Sequence, residues 1–357
     1  VSGRLRVALI GSSRHPIKEP FAGGLEAHVW TLARGLTARG HEVHLFSADG
    51  SDETVAAGVL TVLPVTVSGA AANDVSMPPR SWLEDHNAYL SLMLGLSRDR
   101  YGPFDVVHNH SLHFLPIAMA PAVAPPMITT LHTPPTPWLE SAVQVAGPCP
   151  VTFAAVSAHT AESWRHVAPR VHVVRNGVDT DRWTPGAGGG PLVWTGRMVP
   201  EKGPHLAIQA ARLAGHPLVL AGPIADRDYY ERAVAPLLGG SVRHAGHLSQ
   251  EELRRLVGGA SACLVTPCWD EPYGLVVAEA LACGTPVLAF RRGGIPEIVD
   301  RWCARLVPPG DVEALAAAIP EVVRLPRDAA RRRAVEECSL HRMIEDYERL
   351  YLSAAAA

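Results

Sequence analysis

Between Arg6 and Phe46 the sequence allows few folds. Arg6–Ile10 is a short apolar run, read as a buried strand, and a loop rich in Gly, Ser and Pro follows from Gly11 to Gly24. Leu25, Val29, Leu32 and Leu36 then recur at helical spacing until Gly40, which ends the helix, and Val43–Phe46 is a second apolar run. Strand, helix and strand in that order bring two parallel strands into one sheet. Strand-like runs at Val59–Val67, Asp105–His108, Met127–Leu131 and Thr152–Val156 continue the series.

The run Thr184-Pro185-Gly186-Ala187-Gly188-Gly189-Gly190-Pro191 breaks it, with the composition of a linker or exposed loop. A second series starts at Leu192–Thr195 and continues at Leu218–Ala221, Ala262–Val265 and Val287–Phe290, alternating with helical segments. The expectation is two successive α/β units joined near residue 185, in keeping with a length of 357 residues. A last helix over His341–Leu352 carries Met343, Ile344, Tyr347, Leu350 and Tyr351, a face that needs something to pack on. The Ala354–Ala357 tail is expected to fray.

A net charge of −3 gives no global electrostatic case for nucleic acid as a partner. The six cysteines, at 149, 263, 268, 283, 303 and 338, form no C-x-x-C pair and read as reduced thiols of a cytoplasmic protein. The apolar run entered at Leu5 is too short for a signal-peptide core, and Arg14 and His15 follow it closely. No stretch reaches the ~20 apolar residues that span a membrane, a count that leaves peripheral contact with a membrane surface open.

The strongest chemical signal runs from Asp270 to Val287. Pro272 suits the start of a helix and the apolar run from Leu275 its body. Glu271 would then lie in the entry loop and Glu279 about one and a half turns inside. The helix start offers free amides and a positive dipole end to a diphosphate, and a carboxylate beside it can accept from sugar hydroxyls. Two glutamates at this spacing alone read as surface charge, but Glu279 is embedded in an apolar helix, and a buried glutamate needs a partner. A second cluster, Thr195 to Gly203, has a strand end, a Gly-containing turn and a helix beginning near Pro204. From such a turn Arg197 and Lys202 can converge on one phosphate group, or be two ordinary surface cations.

In the first half, Gly23 and Gly24 stand between strand and helix, where amides can approach an anion, or where the chain merely turns. The pattern is not G-x-G-x-x-G, which argues against a dinucleotide cofactor there. His108 and His110 would share a strand face and, with His113, raise the question of a metal, but no acidic or cysteine cluster accompanies them and none is expected. His132 follows a strand end, where parallel sheets bind ligands.

Together these segments resemble retaining glycosyltransferase family 4. Glu271 to Glu279 looks like its E-x7-E motif, continued by Gly284-Thr285-Pro286-Val287 and Gly293-Gly294-Ile295-Pro296-Glu297. Gly196 to Gly203, Asn176-Gly177-Val178-Asp179, the Gly23-Gly24 loop, Gly40-His41-Glu42-Val43, Asp105 to His108 and His132-Thr133-Pro134 match in order, over nearly the whole chain. The segment Gly203–Ile208, with Leu218–Pro223, looks closest to a branch that includes transferases of oligosaccharide-antibiotic pathways.

The resemblance implies a GT-B fold: a Rossmann-like acceptor domain over 1–183, a nucleotide-sugar domain over 184–340, a cleft between them, and a C-terminal helix over 341–357 returning to the first domain. It implies a hexose moved with retention from a UDP-linked donor to a small-molecule, lipid or glycan acceptor, with no cofactor and no metal. Arg197 and Lys202 would hold the diphosphate, Glu279 the ribose and Glu271 the sugar hydroxyls. Gly274 and Leu275 would give backbone donors, Gly23 and Gly24 would approach the phosphate, and His132 would sit near the reacting sugar. The long basic first loop, with Arg14, His15 and Lys18, departs from the pattern and leaves the acceptor side in doubt.

Three other readings compete. A sugar-nucleotide epimerase and a non-catalytic sugar-nucleotide binder both fit the architecture, though the intact Arg197, Lys202, Glu271 and Glu279 set argues against the silent binder. A glycogen-type phosphorylase needs a cofactor-bearing lysine, and neither Lys18 nor Lys202, the only two lysines, suits that role.

Overall fold

The computed structural model describes residues 3–56, 58–61, 65–147 and 151–356. It divides into two compact units. The first comprises the residues up to Ala155, Ala161–Val174 and Ile344 onward; the second comprises Val156–Thr160 and Arg175–Met343.

The first unit holds β1 (Arg6–Ile10), β2 (Glu42–Ser47), β3 (Gly58–Thr61), β4 (Val106–Asn109), β5 (Met127–Leu131), β6 (Val151–Ala155) and β7 (Val171–Val173). They form one parallel sheet in the order β3-β2-β1-β4-β5-β6-β7. Val7 to Ile10 and Val106–Val107 are fully buried, as central strands covered on both faces must be, and this is why they read as unbroken apolar runs. Of the strand expected over Val59–Val67, β3 accounts for the beginning, residues 62–64 lie outside the described residues, and residues 65–67 are irregular. Cys149 also lies outside them; the other five cysteines are free.

The second unit holds β8 (Leu192–Thr195), β9 (Leu218–Ala221), β10 (Val242–His244), β11 (Cys263–Val265), β12 (Val287–Phe290) and β13 (Ala304–Val307), parallel, in the order β10-β9-β8-β11-β12-β13. In both sheets the order reverses once, between β1 and β4 and between β8 and β11. Ligands of open parallel sheets bind beyond the strand ends at such a reversal.

The Gly- and Pro-rich run is not a free linker. It lies inside the second unit, where the amides of Gly186, Gly188 and Gly190 donate to Cys283, Gly258 and Gly259. A Cβ on Gly186 would stand 2.4 Å from the Gly258 backbone, and one on Gly190 2.7 Å from the Gly259 oxygen. These glycines serve close backbone packing rather than flexibility.

The last helix, Leu340–Ala355, runs further at its end than its sequence suggests. Tyr347 and Tyr351 are fully buried in the first unit, and Glu348, not Leu350, completes their face. The Glu348 carboxylate accepts from Arg39 Nε and pairs with His41 Nε2, each at 2.9 Å. No described helix is long and apolar enough to cross a membrane.

Candidate functional site

In the second unit the loops after β8 and β11 meet at the reversal of strand order. The chain leaves β8 through Gly196, whose oxygen stands 1.9 Å from where a Gly222 Cβ would be, so any side chain at 222 would force the strand ends apart. It then makes a short turn, Pro200–Lys202, and enters the helix Pro204–Leu213 through Gly203 at φ 62°. The Thr266 hydroxyl, just past β11, donates to Gly203 O at 2.8 Å and accepts from Trp194 Nε1 at 3.1 Å, fastening the two loops together.

Lys202 thereby meets Glu271: Nζ lies 2.5 Å from Oε2. Trp269 Nε1 donates to the same oxygen at 3.1 Å, and the ammonium lies 5.2 Å from the Trp269 ring centroid. Nothing in the sequence signalled Trp269. Arg197 does not join this set; it is half-exposed and lies 3.7 Å from Glu201.

The Glu271 loop is held from behind. Gly293, at φ 58°, brings its backbone so close that a Cβ there would lie 2.1 Å from Glu271 O, and Gly294 N donates to that oxygen at 2.8 Å. Glu297 accepts from the amides of Ala158 and His159 at 2.9 and 2.8 Å.

The expected helix spans Leu275–Ala282 but starts from Gly274, in the left-handed region at φ 102°, and not from Pro272, which stays in the loop. Among the described residues the Leu275 and Val276 amides find no acceptor, so two donors and the positive end of the helix are free. Glu279 lies on this helix. Part of its side chain reaches solvent, yet no donor among the described residues reaches its carboxyl, and the Cys263 and Cys283 thiols feel its charge. Burial raises its pKa to about 7.

In the first unit Gly23 is extended, at φ −168°, and Gly24 opens the helix Gly24–Ala38, so Gly23 is not needed for a left-handed turn. A Cβ on Gly23 would press on Glu26 Oε2 at 3.2 Å. The long first loop is tied down: Tyr89 hydroxyl accepts from Ser13 N at 3.1 Å and donates to Gly11 O at 2.9 Å, while Arg14 pairs with Asp85 at 2.8 Å.

His108 and His110 share a face, with ring centroids 3.9 Å apart. His113 is not with them; it stacks on Tyr89 and accepts from Leu115 N at 3.2 Å. Their companions are His132 and His28. His110 Nδ1 lies 3.0 Å from His132 Nε2, and His28 packs against both rings with centroids 5.1 and 5.0 Å away. His108 Nδ1 faces the Tyr351 hydroxyl at 2.7 Å and His110 Nε2 at 3.2 Å, and His108 Nε2 meets Thr130 Oγ1 at 2.8 Å. Burial lowers the pKa of His28 to about 4 and those of His108, His110 and His132 well below the ordinary value, so all four are neutral at pH 7.

The family model for glycosyl transferases group 1 matches residues 191–337, and that for Glycosyltransferase Family 4 matches residues 22–182. A D-inositol 3-phosphate glycosyltransferase of Mycolicibacterium paratuberculosis is 31% identical over 91% of this chain and 83% of its own length. A glycogen synthase of Mycobacterium tuberculosis is 29% identical over 99% and 94%. Among solved structures, sucrose-phosphate synthase from Thermosynechococcus elongatus superposes with a TM-score of 0.79 at 21% identity, covering 99% of this chain and 100% of the other. Anabaena Alr3699/HepE in complex with UDP and glucose superposes at 0.77 and 18%, covering 98% and 100%. Each of these two likenesses speaks for the GT-B fold. The chain belongs to glycosyltransferase family 4 and is an enzyme that draws on nucleotide-sugar donors.

Proposed function

We propose that this enzyme moves a hexose, with retention, from a UDP-linked donor to an acceptor hydroxyl, and that the second unit binds the donor. The observation that carries this reading is the Lys202–Glu271 pair, 2.5 Å apart, beside a helix start with two free amides and a half-buried Glu279 one turn further on. Without a ligand the Lys202 charge rests on Glu271. An arriving diphosphate takes that charge over, with Arg197 swinging from Glu201 to join it and the amides of Gly274 and Leu275 adding donors. Glu271 is thereby released to accept from sugar hydroxyls, held in place by Trp269. Glu279 accepts from the ribose hydroxyls. Uridine is favoured by the UDP and glucose bound in the Anabaena relative.

Transfer with retention fits a site rich in fixed positive charge. The acceptor attacks the face that the leaving group departs, the diphosphate oxygen takes the hydroxyl proton, and the protein stabilises the departing charge. Two cations and a helix end do this without a metal or another cofactor. Gly23 and Gly24 lie at the ligand-binding edge of the first sheet, with His132, which we assign to the reacting sugar. The acceptor is a small molecule, lipid or glycan met by the first unit.

Release of nucleoside diphosphate, measured with and without candidate acceptors, tests the reading. Acceptor-dependent UDP release from UDP-glucose supports it. An isomerised sugar without acceptor indicates an epimerase, and binding without turnover a silent binder.

A further inference from the structure

We propose that His28, His110 and His132 form a binding site for one divalent transition-metal ion, Zn²⁺ above all, and that occupancy withdraws His132 from transfer. One ring nitrogen from each of the three lies within 4.8 Å of the others. His28 supplies the independent sign. It is 2% exposed, and both of its ring nitrogens are buried without a hydrogen-bond partner among the described residues. An imidazole in that state bears the full cost of desolvation with no return, about 1–3 kcal/mol per unsatisfied atom, and a ligand is one of the few things that offsets it.

The surrounding hydrogen bonds prepare the donors. With His108 protonated on Nε2, toward Thr130, its Nδ1 accepts from the Tyr351 hydroxyl and from His110 Nε2–H, and in that tautomer, the one the proposed site takes, His110 keeps a lone pair on Nδ1. That atom faces His132 Nε2 at 3.0 Å, near the about 3.3 Å expected between two nitrogens on a tetrahedral zinc. In the same tautomer His132 Nε2–H is the donor to it without a metal; on binding, the His132 proton would move to Nδ1 and both lone pairs would turn to the ion. The widest gap, at most 4.8 Å, must close by up to about 1.5 Å to reach zinc geometry, and no hydrogen bond among the described residues opposes a turn of the His28 ring, which packs against His110, His132 and Tyr347. His110 bound through one nitrogen and held by His108 through the other is the arrangement that fixes a metal-ligating ring.

Three imidazoles and no carboxylate select Zn²⁺, Cu²⁺, Co²⁺ or Ni²⁺ over Mg²⁺ or Ca²⁺. Three histidines leave a fourth position for water, and His132, partly exposed, gives the way in. This is an inhibitory site, not a catalytic one. Its effect on turnover rests on the assignment of His132 to transfer, whereas its existence does not.

The test uses full-length protein stripped with EDTA and dialysed. Calorimetry with ZnCl₂ and absorption spectra with CoCl₂ should show one ion per chain and the ligand-field bands of tetrahedral cobalt, and MgCl₂ should show neither. His28→Phe, which replaces an unpartnered ring by one of similar shape, should keep fold and basal turnover and lose about 100-fold or more in Zn²⁺ affinity, at least the loss seen when a supporting residue is removed. Zn²⁺ should inhibit UDP release by the wild type, reversibly with EDTA, and spare the variant. No binding by the wild type, or equal affinity in a folded His28→Phe, overturns the site. Binding without inhibition overturns the withdrawal of His132. If no nucleotide sugar is turned over at all, the proposed function fails while calorimetry still decides the metal.

Discussion

Glu279→Gln should stabilise the ligand-free enzyme and weaken its hold on the donor, both in a pH-dependent way. The Glu279 carboxyl titrates at about 7 in the fold against 4.5 as its ordinary value, because burial penalises the charged form. Below pH 4.5 it is protonated folded or unfolded and costs nothing. Between 4.5 and 7 the unfolded chain releases the proton and the folded one keeps it, so stability falls as pH rises, and above 7 the whole cost is present. At about 1.4 kcal/mol per unit the ceiling is about 3 kcal/mol, and about 2 kcal/mol is the better figure for a side chain that partly reaches solvent. Urea denaturation should therefore find the glutamine variant about 2 kcal/mol more stable at pH 8 and nearly equal to wild type at pH 5. Donor binding runs the other way. Ribose hydroxyls donate to the ionised form, so wild-type affinity for UDP-glucose, whose diphosphate does not titrate in this range, should rise up to about tenfold per unit as pH approaches 7 and then level off. The variant should bind more weakly and show no such slope. A wild-type affinity that is flat from pH 6 to 8, or a variant no more stable at pH 8, would refute the reasoning.

Lys202→Ala and Arg197→Ala should each lower kcat on UDP-glucose by about 100-fold or more while leaving the circular dichroism unchanged, since each removes charge complementary to the departing diphosphate; near-normal turnover in both at saturating donor would end that assignment. EDTA should leave transfer undiminished in a coupled UDP-release assay, and a loss restored by a divalent ion would reveal a metal in the chemistry. Gly293→Ala should destabilise by about 2 kcal/mol or more and displace Glu271, because it adds a Cβ 2.1 Å from that residue's oxygen at φ 58°; melting temperature and donor affinity report the two effects. The chain should also be acid-sensitive. His28, His108, His110 and His132 stay neutral in the fold, so once pH drops below about 6.5 each is protonated in the unfolded chain alone and costs about 1.4 kcal/mol per further unit until its folded pKa is reached. Denaturation in EDTA from pH 7 to 5 should lose stability steeply, with a shallower slope in His28→Phe.

What the sequence declares and what it hides follow from how each feature is encoded. Inner strands such as β1, β8 and β12 are buried on both faces, so their own residues carry the signal. The strands it misses, β7, β10 and β13, are edge strands of three or four residues, and Val-His-Val or Val-Arg-His needs no apolar run when one side is open. β3, the remaining edge, reads as longer than its described strand.

The Glu271–Glu279 segment is legible because backbone geometry writes itself locally: a glycine where φ is 102°, an apolar helix, a glutamate that such a helix would not otherwise carry. The same signal misleads at Gly186–Gly190. A flexible linker and a backbone pressed against another backbone ask for the same residue, and only the Gly258–Gly259 partner, some 70 positions away, distinguishes them. The histidine cluster lies beyond any local reading. Its members are drawn from one helix and two strand ends, and the tyrosines that orient them come from the last helix, 243 residues from His108 in the case of Tyr351. An apolar or aromatic helix face declares that a partner exists without naming it. His28 declares nothing, since a histidine on a buried helix face looks the same whether its nitrogens are satisfied or waiting for an ion.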